Sequence, residues 1–350
     1  MAFLSFENVG VTALSACVPK NIEKIQDLTY MLPAGDVEKL ENMVGIRQRR
    51  LADEKTCSSD MCFAAAEKLF EDNNVDRKSI DMLLFLSQTG DFAIPITSAI
   101  LQNRLGLPKT TACMDINLGC SGFIYGLSSA FSYVCNPNIN KVLLLVGECN
   151  SKVHCRQDKS AWPLFGDAGS ACLIEKGSFD KSYFYLGTDG SGSETIRMKA
   201  SIAGRFPVNP TSFEEKLQDD GYVRSDVHVK LDGMDVFAFT LNIIQKSIRN
   251  VLEFAKKTDS DVDYYLLHQA NKFIIDNAVR KLKINPQKVP INIDRYGNVS
   301  SPSIPLLVAT EFNDKSELGN VALCGFGVGL SWGSSYLNLS KCKISDLIEI

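Results

Sequence analysis

The chain has 350 residues, 45% of them hydrophobic and 22% charged, with a net charge of −4. That is enough apolar material for one large or two medium domains. The acidic balance argues against a nucleic-acid binder, which carries a basic excess. No apolar run is long enough to cross a membrane. The stretch Met1-Ala2-Phe3-Leu4-Ser5-Phe6-Glu7 lacks the basic segment and apolar core of a secretory signal, so a cytoplasmic protein is expected. Eleven cysteines are scattered without a repeating spacing, which reads as thiols rather than a disulfide framework. Cys149, His154 and Cys155 have no second pair at zinc-like spacing, so no metal site is expected.

In chain order, residues 5–17 read as a strand. Residues 36–44 form a short amphipathic segment stopped by Gly45, ahead of the basic run Arg47-Gln48-Arg49-Arg50. A helix is expected over 59–73, capped by Ser59 or Asp60. A buried strand follows at 81–87, then a helix over 97–105 closed by Gly106 and Pro108. A β-like run ends at Leu118, the turn Gly119-Cys120-Ser121-Gly122 follows, and an apolar stretch rich in small residues reads as a buried helix to Val134. A thiol on such a turn faces the helix N–H groups, which favour the thiolate. Equally, it reads as one more buried, inert cysteine. Residues 141–148 form a continuous apolar strand, and 165–175 run through Gly166-Asp167-Ala168-Gly169 into another.

The second half restates this order. A helix at 242–255 precedes a strand at 263–267, and a helix at 273–282 ends near Pro286, as the earlier one ends near Pro108. Residues 291–298 parallel 113–120, and Pro108 stands as far before Cys120 as Pro286 stands before Asn298. A strand at 321–324 then matches the one at 142–146. Alternating strands and helices imply α/β layers, and duplication implies a pseudo-twofold axis with Gly119-Cys120 and Gly297-Asn298 at equivalent turns. His268 stands between a buried strand and a helix, either as a hydrogen-bonded structural residue or as a catalytic one. Asn298 is either a turn residue or a polar group mirroring the thiol. All three lie at ends of core strands, where open sheets bind ligands. The glycines of Cys324-Gly325-Phe326-Gly327-Val328-Gly329 let backbone N–H groups approach a bound oxygen. A phosphate-cradling loop is the rival reading, but no lysine follows and no nucleotide motif is complete.

Together, Gly119-Cys120-Ser121-Gly122, His268-Gln269-Ala270-Asn271, Tyr296-Gly297-Asn298 and Gly325-Phe326-Gly327-Val328-Gly329 resemble β-ketoacyl-acyl carrier protein synthase III of the thiolase superfamily. Val44-Gly45-Ile46-Arg47 and Phe165-Gly166-Asp167-Ala168-Gly169 extend the likeness over nearly the whole chain. The resemblance implies a five-layered αβαβα fold from two pseudo-symmetric halves, 1–177 and 178–350, and a homodimer. It implies that Cys120 takes an acyl group from a thioester. The N–H groups of Cys120 and Val328 would form the oxyanion hole, and His268 and Asn298 would stabilise the enolate of a decarboxylating malonyl thioester. It places Ile94, Asn271 and Phe326 in the substrate pocket, Ile94 being offered by the partner subunit. Lys39, Lys159 and Phe273 become contacts for coenzyme A or acyl carrier protein. The substrates would be acyl-coenzyme A or acyl-carrier thioesters, with no metal or other cofactor.

Three positions depart from the family pattern. Lys39 replaces a tryptophan that stacks on adenine, Phe273 an arginine that docks the carrier, and Ile94 a phenylalanine at the pocket floor; residues 200–230 are also long and irregular. A donor longer than acetyl is therefore expected, carried on an acidic protein that Lys256, Lys257, Lys281 and Lys283 could face. The alternatives are a relative making a specialised lipid, polyketide or modified sugar, a non-catalytic scaffold, and a cysteine hydrolase.

Overall fold

The computed structural model describes residues 2–312 and 318–350. Two sheets carry the chain. The principal elements in order are β1 (Ala2–Phe6), β2 (Val9–Val18), α1 (Ser58–Asn73), β3 (Met82–Leu86), α2 (Thr97–Arg104), β4 (Ala112–Ile116), α3 (Gly122–Val134), β5 (Lys141–Cys149), β6 (Asp167–Lys176) and β7 (Ser182–Thr188). After these come α4 (Gly233–Ala255), β8 (Tyr264–Leu267), α5 (Lys272–Leu282), α6 (Ser303–Glu311), β9 (Asn320–Gly327), β10 (Ser331–Asn338), β11 (Lys343–Ile344) and β12 (Ile348–Glu349).

The first sheet runs β11-β2-β6-β5-β3-β4, with β12 also on β2; the second runs β1-β7-β10-β9-β8. The order β2-β6-β5-β3 in one repeats as β7-β10-β9-β8 in the other. The two outer pairings are antiparallel and the last is parallel in both. The duplication read from the chain is thus a repeated topology. The helices α3 and α6 lie between the sheets, α1 and α2 cover the outer face of the first, and α4 and α5 cover that of the second. The result is the five-layered, thiolase-like αβαβα arrangement.

Strands buried on both faces explain why β3 and β5 read as continuous apolar runs rather than alternating ones. The central layer is almost wholly apolar: Phe123, Ile124, Leu127 and Phe131 of α3 and Ile304, Leu306, Leu307 and Val308 of α6 share one core cluster with both sheets. Each such side chain contributes roughly 1.5–3 kcal/mol when fully buried. Phe6, Phe131 and Phe184 meet edge to face at 5.4–5.7 Å across the layers.

Several expectations shift. The strand expected at 5–17 is two strands, because Asn8 turns through φ 60° and passes the chain from one sheet to the other. The cap of α1 is Cys57, one turn earlier than expected, and the Asp60 carboxylate reaches back to accept the Cys57 N–H at 2.8 Å. Helix α4 begins at Gly233, with Asp232 accepting from Met234 and Asp235 N–H; the run Val236-Phe237-Ala238-Phe239 concealed its first turns. Among the described residues the second sheet has no counterpart of β4. Residues 291–296 form a one-turn helix, Ile293–Tyr296, because the Asn292 N–H bonds the Gln269 side chain and the Asp294 carbonyl accepts from Arg47 N–H. The end of the basic run is internal: Arg50 is buried and Arg49 wholly so, bonded to Glu23 and to the Trp162 and Phe165 carbonyls, while Arg47 is exposed. The division at 177/178 falls between β6 and β7, but both termini cross it: β1 completes the second sheet, and β11 and β12 complete the first.

Candidate active site

Cys120 lies between β4 and α3, where the first sheet's chain turns into the central layer. Its helix cap is fastened to the glycine-rich loop: Ser121 Oγ and Ser331 Oγ are 2.7 Å apart, and Ser331 Oγ donates to the Val328 carbonyl. A Cβ on Gly327, whose φ is 154°, would stand 2.6 Å from Cys120 Cβ and 2.9 Å from its sulfur. Only glycine lets that loop press against the thiol. The N–H groups of Val328 and of Cys120 itself point at the sulfur, and Ser300 Oγ lies 3.6 Å from it. Those three contacts favour the thiolate, but burial outweighs them and pushes the thiol up. The turn's position at a helix start was expected to favour the thiolate; desolvation reverses that balance, and the group rests as a thiol.

His268 follows β8 and Asn298 follows the one-turn helix, so both come from the second half. The His268 N–H donates to the Cys324 carbonyl, its Nδ1 lies 2.6 Å from Ser303 Oγ, and its ring meets Phe326 edge-on at 5.3 Å. Its Nε2 is buried with no protein partner. Burial alone pulls the imidazole down to about 3, so it is neutral at working pH. Asn298 is held by its backbone to Leu164 and Gly166, which Gly297 permits at φ 67°. Its Oδ1 accepts the Ser300 N–H at 2.8 Å, so its Nδ2 is the free donor. Ser300 itself adopts a left-handed φ of 61°, a strained conformation that brings its hydroxyl to the sulfur.

Three spaces adjoin one another here. A small cavity of about 130 Å³ is lined by Cys120, His268, Asn298, Phe326 and Asn271. Outside it, a groove of about 420 Å³ is lined by Lys39, Lys159, Phe273 and Asn271, so Asn271 stands at the neck between them. Beyond the thiol, a second cavity of about 420 Å³ is lined by Cys120, Glu148, Asn150, His154, Arg197 and Ser300 among others. The irregular segment closes over it: Ile196–Met198 pairs with Val229–Leu231, and buried Arg224 clamps it down through Asp158 at 2.8 Å.

Not every expected residue joins the site. Ile94 is 88% exposed and lines none of these spaces in its own protomer. Lys256 and Lys257 follow the C-terminal end of α4, and Lys281 and Lys283 lie at that of α5, both remote from the groove, which abuts Asn271 and Phe273 at the start of α5. Lys281 donates to the Leu241 carbonyl and Lys257 pairs with Asp261. None of these four lysines lines the groove, whose cations are Lys39 and Lys159. Cys155 lies with Glu215 and His228, their ligand atoms within 4.8 Å, rather than with Cys149.

Ser300, Ser303 and Glu148 were not anticipated, and His154 was weighed only as a metal ligand. The one signal for Glu148 was a carboxylate at the end of an apolar strand. It is buried, accepting from Gln88 N–H, Thr89 Oγ1, Ser87 Oγ and Ser301 Oγ. Desolvation pushes it up to about 7.

A half-buried thiol that shares its cavity with a neutral imidazole and a carboxamide, at the joint of two duplicated α/β halves, defines a thiolase-fold condensing enzyme, an acyltransferase. Family models for 3-oxoacyl-[acyl-carrier-protein] synthase III and for its C-terminal region match residues 114–190 and 252–339. A putative 3-oxoacyl-[acyl-carrier-protein] synthase 3 of Campylobacter jejuni is 33% identical over 347 residues, covering 98% of this chain and 97% of its own. The β-ketoacyl-[acyl-carrier-protein] synthase III of Natranaerobius thermophilus is 34% identical, covering 93% and 98%. The crystal structure of a 3-oxoacyl-(acyl-carrier protein) synthase from Burkholderia xenovorans superposes with a TM-score of 0.92 at 33% identity, covering 100% of this chain and 99% of its own. The chain belongs to the β-ketoacyl-acyl carrier protein synthase III family. Among the described residues, no helix is long and apolar enough to cross a membrane.

Proposed function

We propose that the protein catalyses decarboxylative Claisen condensation of an acyl thioester with malonyl-acyl carrier protein, the initiating step of fatty acid synthesis. The observation that carries this reading is the cavity shared by Cys120, His268 and Asn298, with His268 Nε2 buried and unspent. The Cys120 sulfur attacks the donor carbonyl, whose oxygen takes the negative charge opposite the N–H groups of Cys120 and Val328. The donor's thiolate departs and takes the thiol proton, leaving acyl-Cys120. Malonyl thioester then enters through the groove. As its carboxylate leaves as CO₂, the bonding pair moves onto the thioester oxygen, where His268 Nε2–H and Asn298 Nδ2–H receive it. The enolate carbon bonds to the acyl carbonyl, the carbon–sulfur bond to Cys120 breaks, and the sulfur takes a proton from solvent. For Nε2 to hold the hydrogen, Ser303 must donate to Nδ1. These steps move carbon and protons only, so coenzyme A and phosphopantetheine thioesters serve as substrates without a metal or redox cofactor.

Product mass tests the reading. With malonyl-acyl carrier protein and a mixture of acyl-coenzyme A donors, a β-ketoacyl-carrier product and one CO₂ per turnover are expected. Free acid without a condensed product would mark a cysteine hydrolase instead. A specialised condensation with another acyl donor is the second reading, favoured by the polar wall of the cavity beyond Cys120.

The same reading includes a homodimer. Ile94 lies on a loop with Phe92 and Ile96, exposed by 88%, 63% and 44%, and β4 is an unpaired sheet edge. A second copy that covers this edge would bring Ile94 to the cavity beyond its partner's thiol. Sedimentation at micromolar concentration is expected to give a dimer; an active monomer would refute it.

A further inference from the structure

We infer that the acyl group accepted beyond Cys120 carries a hydroxyl on its chain and is not a plain alkyl. This rests on the condensing reading and names its donor class. A cavity built for an alkyl chain is walled by apolar side chains, because burying an unpaired polar group against them is unfavourable. Here Val153, Phe165, Ile196, Met198, Val229 and Val328 share the wall with three buried polar side chains, Glu148, Asn150 and His154, exposed by only 1%, 6% and 5%.

Two of these have hydrogen-bonding capacity to spare. His154 stacks on Phe165 at 4.1 Å, which fixes the ring, and its Nδ1 has no partner. Asn150 spends its Nδ2 on the Gly166 carbonyl, leaving its Oδ1 without a protein donor. Buried polar groups are paired in the great majority of cases, so the buried and unpaired His154 Nδ1 on this cavity wall points to a ligand.

The charges select the substituent. Glu148 is already served by the Gln88 N–H and by the hydroxyls of Ser87, Thr89 and Ser301, so it does not call for a cation. It opposes an anion, and the one arginine on the wall, Arg197, is paired with Glu194. Burial also keeps His154 neutral. A neutral group that both gives and receives a hydrogen bond fits a wall of one carboxamide oxygen and one neutral imidazole. An alcohol does both with a single oxygen.

The experiment is pairwise competition between pantetheine thioesters of butyrate and hexanoate and their 3- and 4-hydroxy forms. Intact mass of the Cys120 adduct is the readout. A hydroxylated donor is expected to acylate faster than its alkyl parent by about tenfold or more. In His154→Phe, which keeps a ring on Phe165, that ratio is expected to fall towards one. Equal or faster acylation by the alkyl donors in the wild-type protein overturns the inference while leaving the condensing reading intact. If His154→Phe does not fold, the wild-type ratio decides alone. No adduct from any donor overturns both.

Discussion

Replacement of Cys120 by alanine is expected to abolish the acyl adduct and the condensation together. No other thiol can stand in. Of the remaining ten cysteines, none lines the spaces around the site, and burial pushes Cys17 and Cys324 up to about 12. Ser300 is 3.6 Å from the sulfur, but a hydroxyl is a far weaker nucleophile than a thiolate without a base to take its proton. His268 is no such base here, since its Nδ1 is engaged by Ser303. Decarboxylation of the malonyl thioester should continue in Cys120→Ala, because His268 and Asn298 are untouched. Intact mass and CO₂ release, followed separately, check both halves. An undiminished adduct in the variant would sink the assignment of the nucleophile.

His268→Ala and Asn298→Ala are expected to do the converse. Each removes one donor to the enolate oxygen in a water-poor cavity, and one such donor is worth about 3 kcal/mol, or about 10²–10³ in rate. Decarboxylation should fall by that factor in each variant while Cys120 acylation persists, because the oxyanion hole for acylation is backbone. The pH profile is a further check. The folded imidazole titrates near 3, below its ordinary value, because burial disfavours the cation. It therefore stays neutral from pH 5 to 9, and no loss of decarboxylation in that range should trace to His268. Decarboxylation at the wild-type rate in either variant would remove that residue from the mechanism.

The layers were legible because their cause is local. Continuous apolar runs at β3 and β5 declare strands buried on both faces, and the matched spacing of two prolines to two turns declared the repeat. The thiol, imidazole and carboxamide were legible as chemistry-bearing types at strand ends. What escaped notice depends on distant pairing. Ser303 matters because α6 begins beside His268, and Ser300 because its turn adopts a left-handed conformation. Glu148 read as the end of a strand; its hydroxyl and N–H partners come from residues 87–89 and from Ser301 in the other half. The alternation at 291–294 signalled a strand that tertiary hydrogen bonding overrode. That Lys39 and Lys159 line the groove, and the four clustered lysines do not, was not legible, because sequence clustering says nothing about which end of a helix faces it.

The exchange of edge strands also constrains how the molecule is made. The first sheet takes its border from β11 and β12, residues synthesised after the whole second sheet, while β1, made first, must wait for β7. The second sheet thus finds its edge strand already made when β7 emerges, whereas the first cannot close its own, and the open border of β2 stays available to any passing strand until residues 343–349 arrive. Completion of the proposed site is in this sense a late event. Cys120 is in place early, but the wall opposite it is assembled from the second half. An incomplete chain therefore carries the Cys120 thiol without Val328, His268 and Asn298, the groups that the proposed reaction needs opposite it.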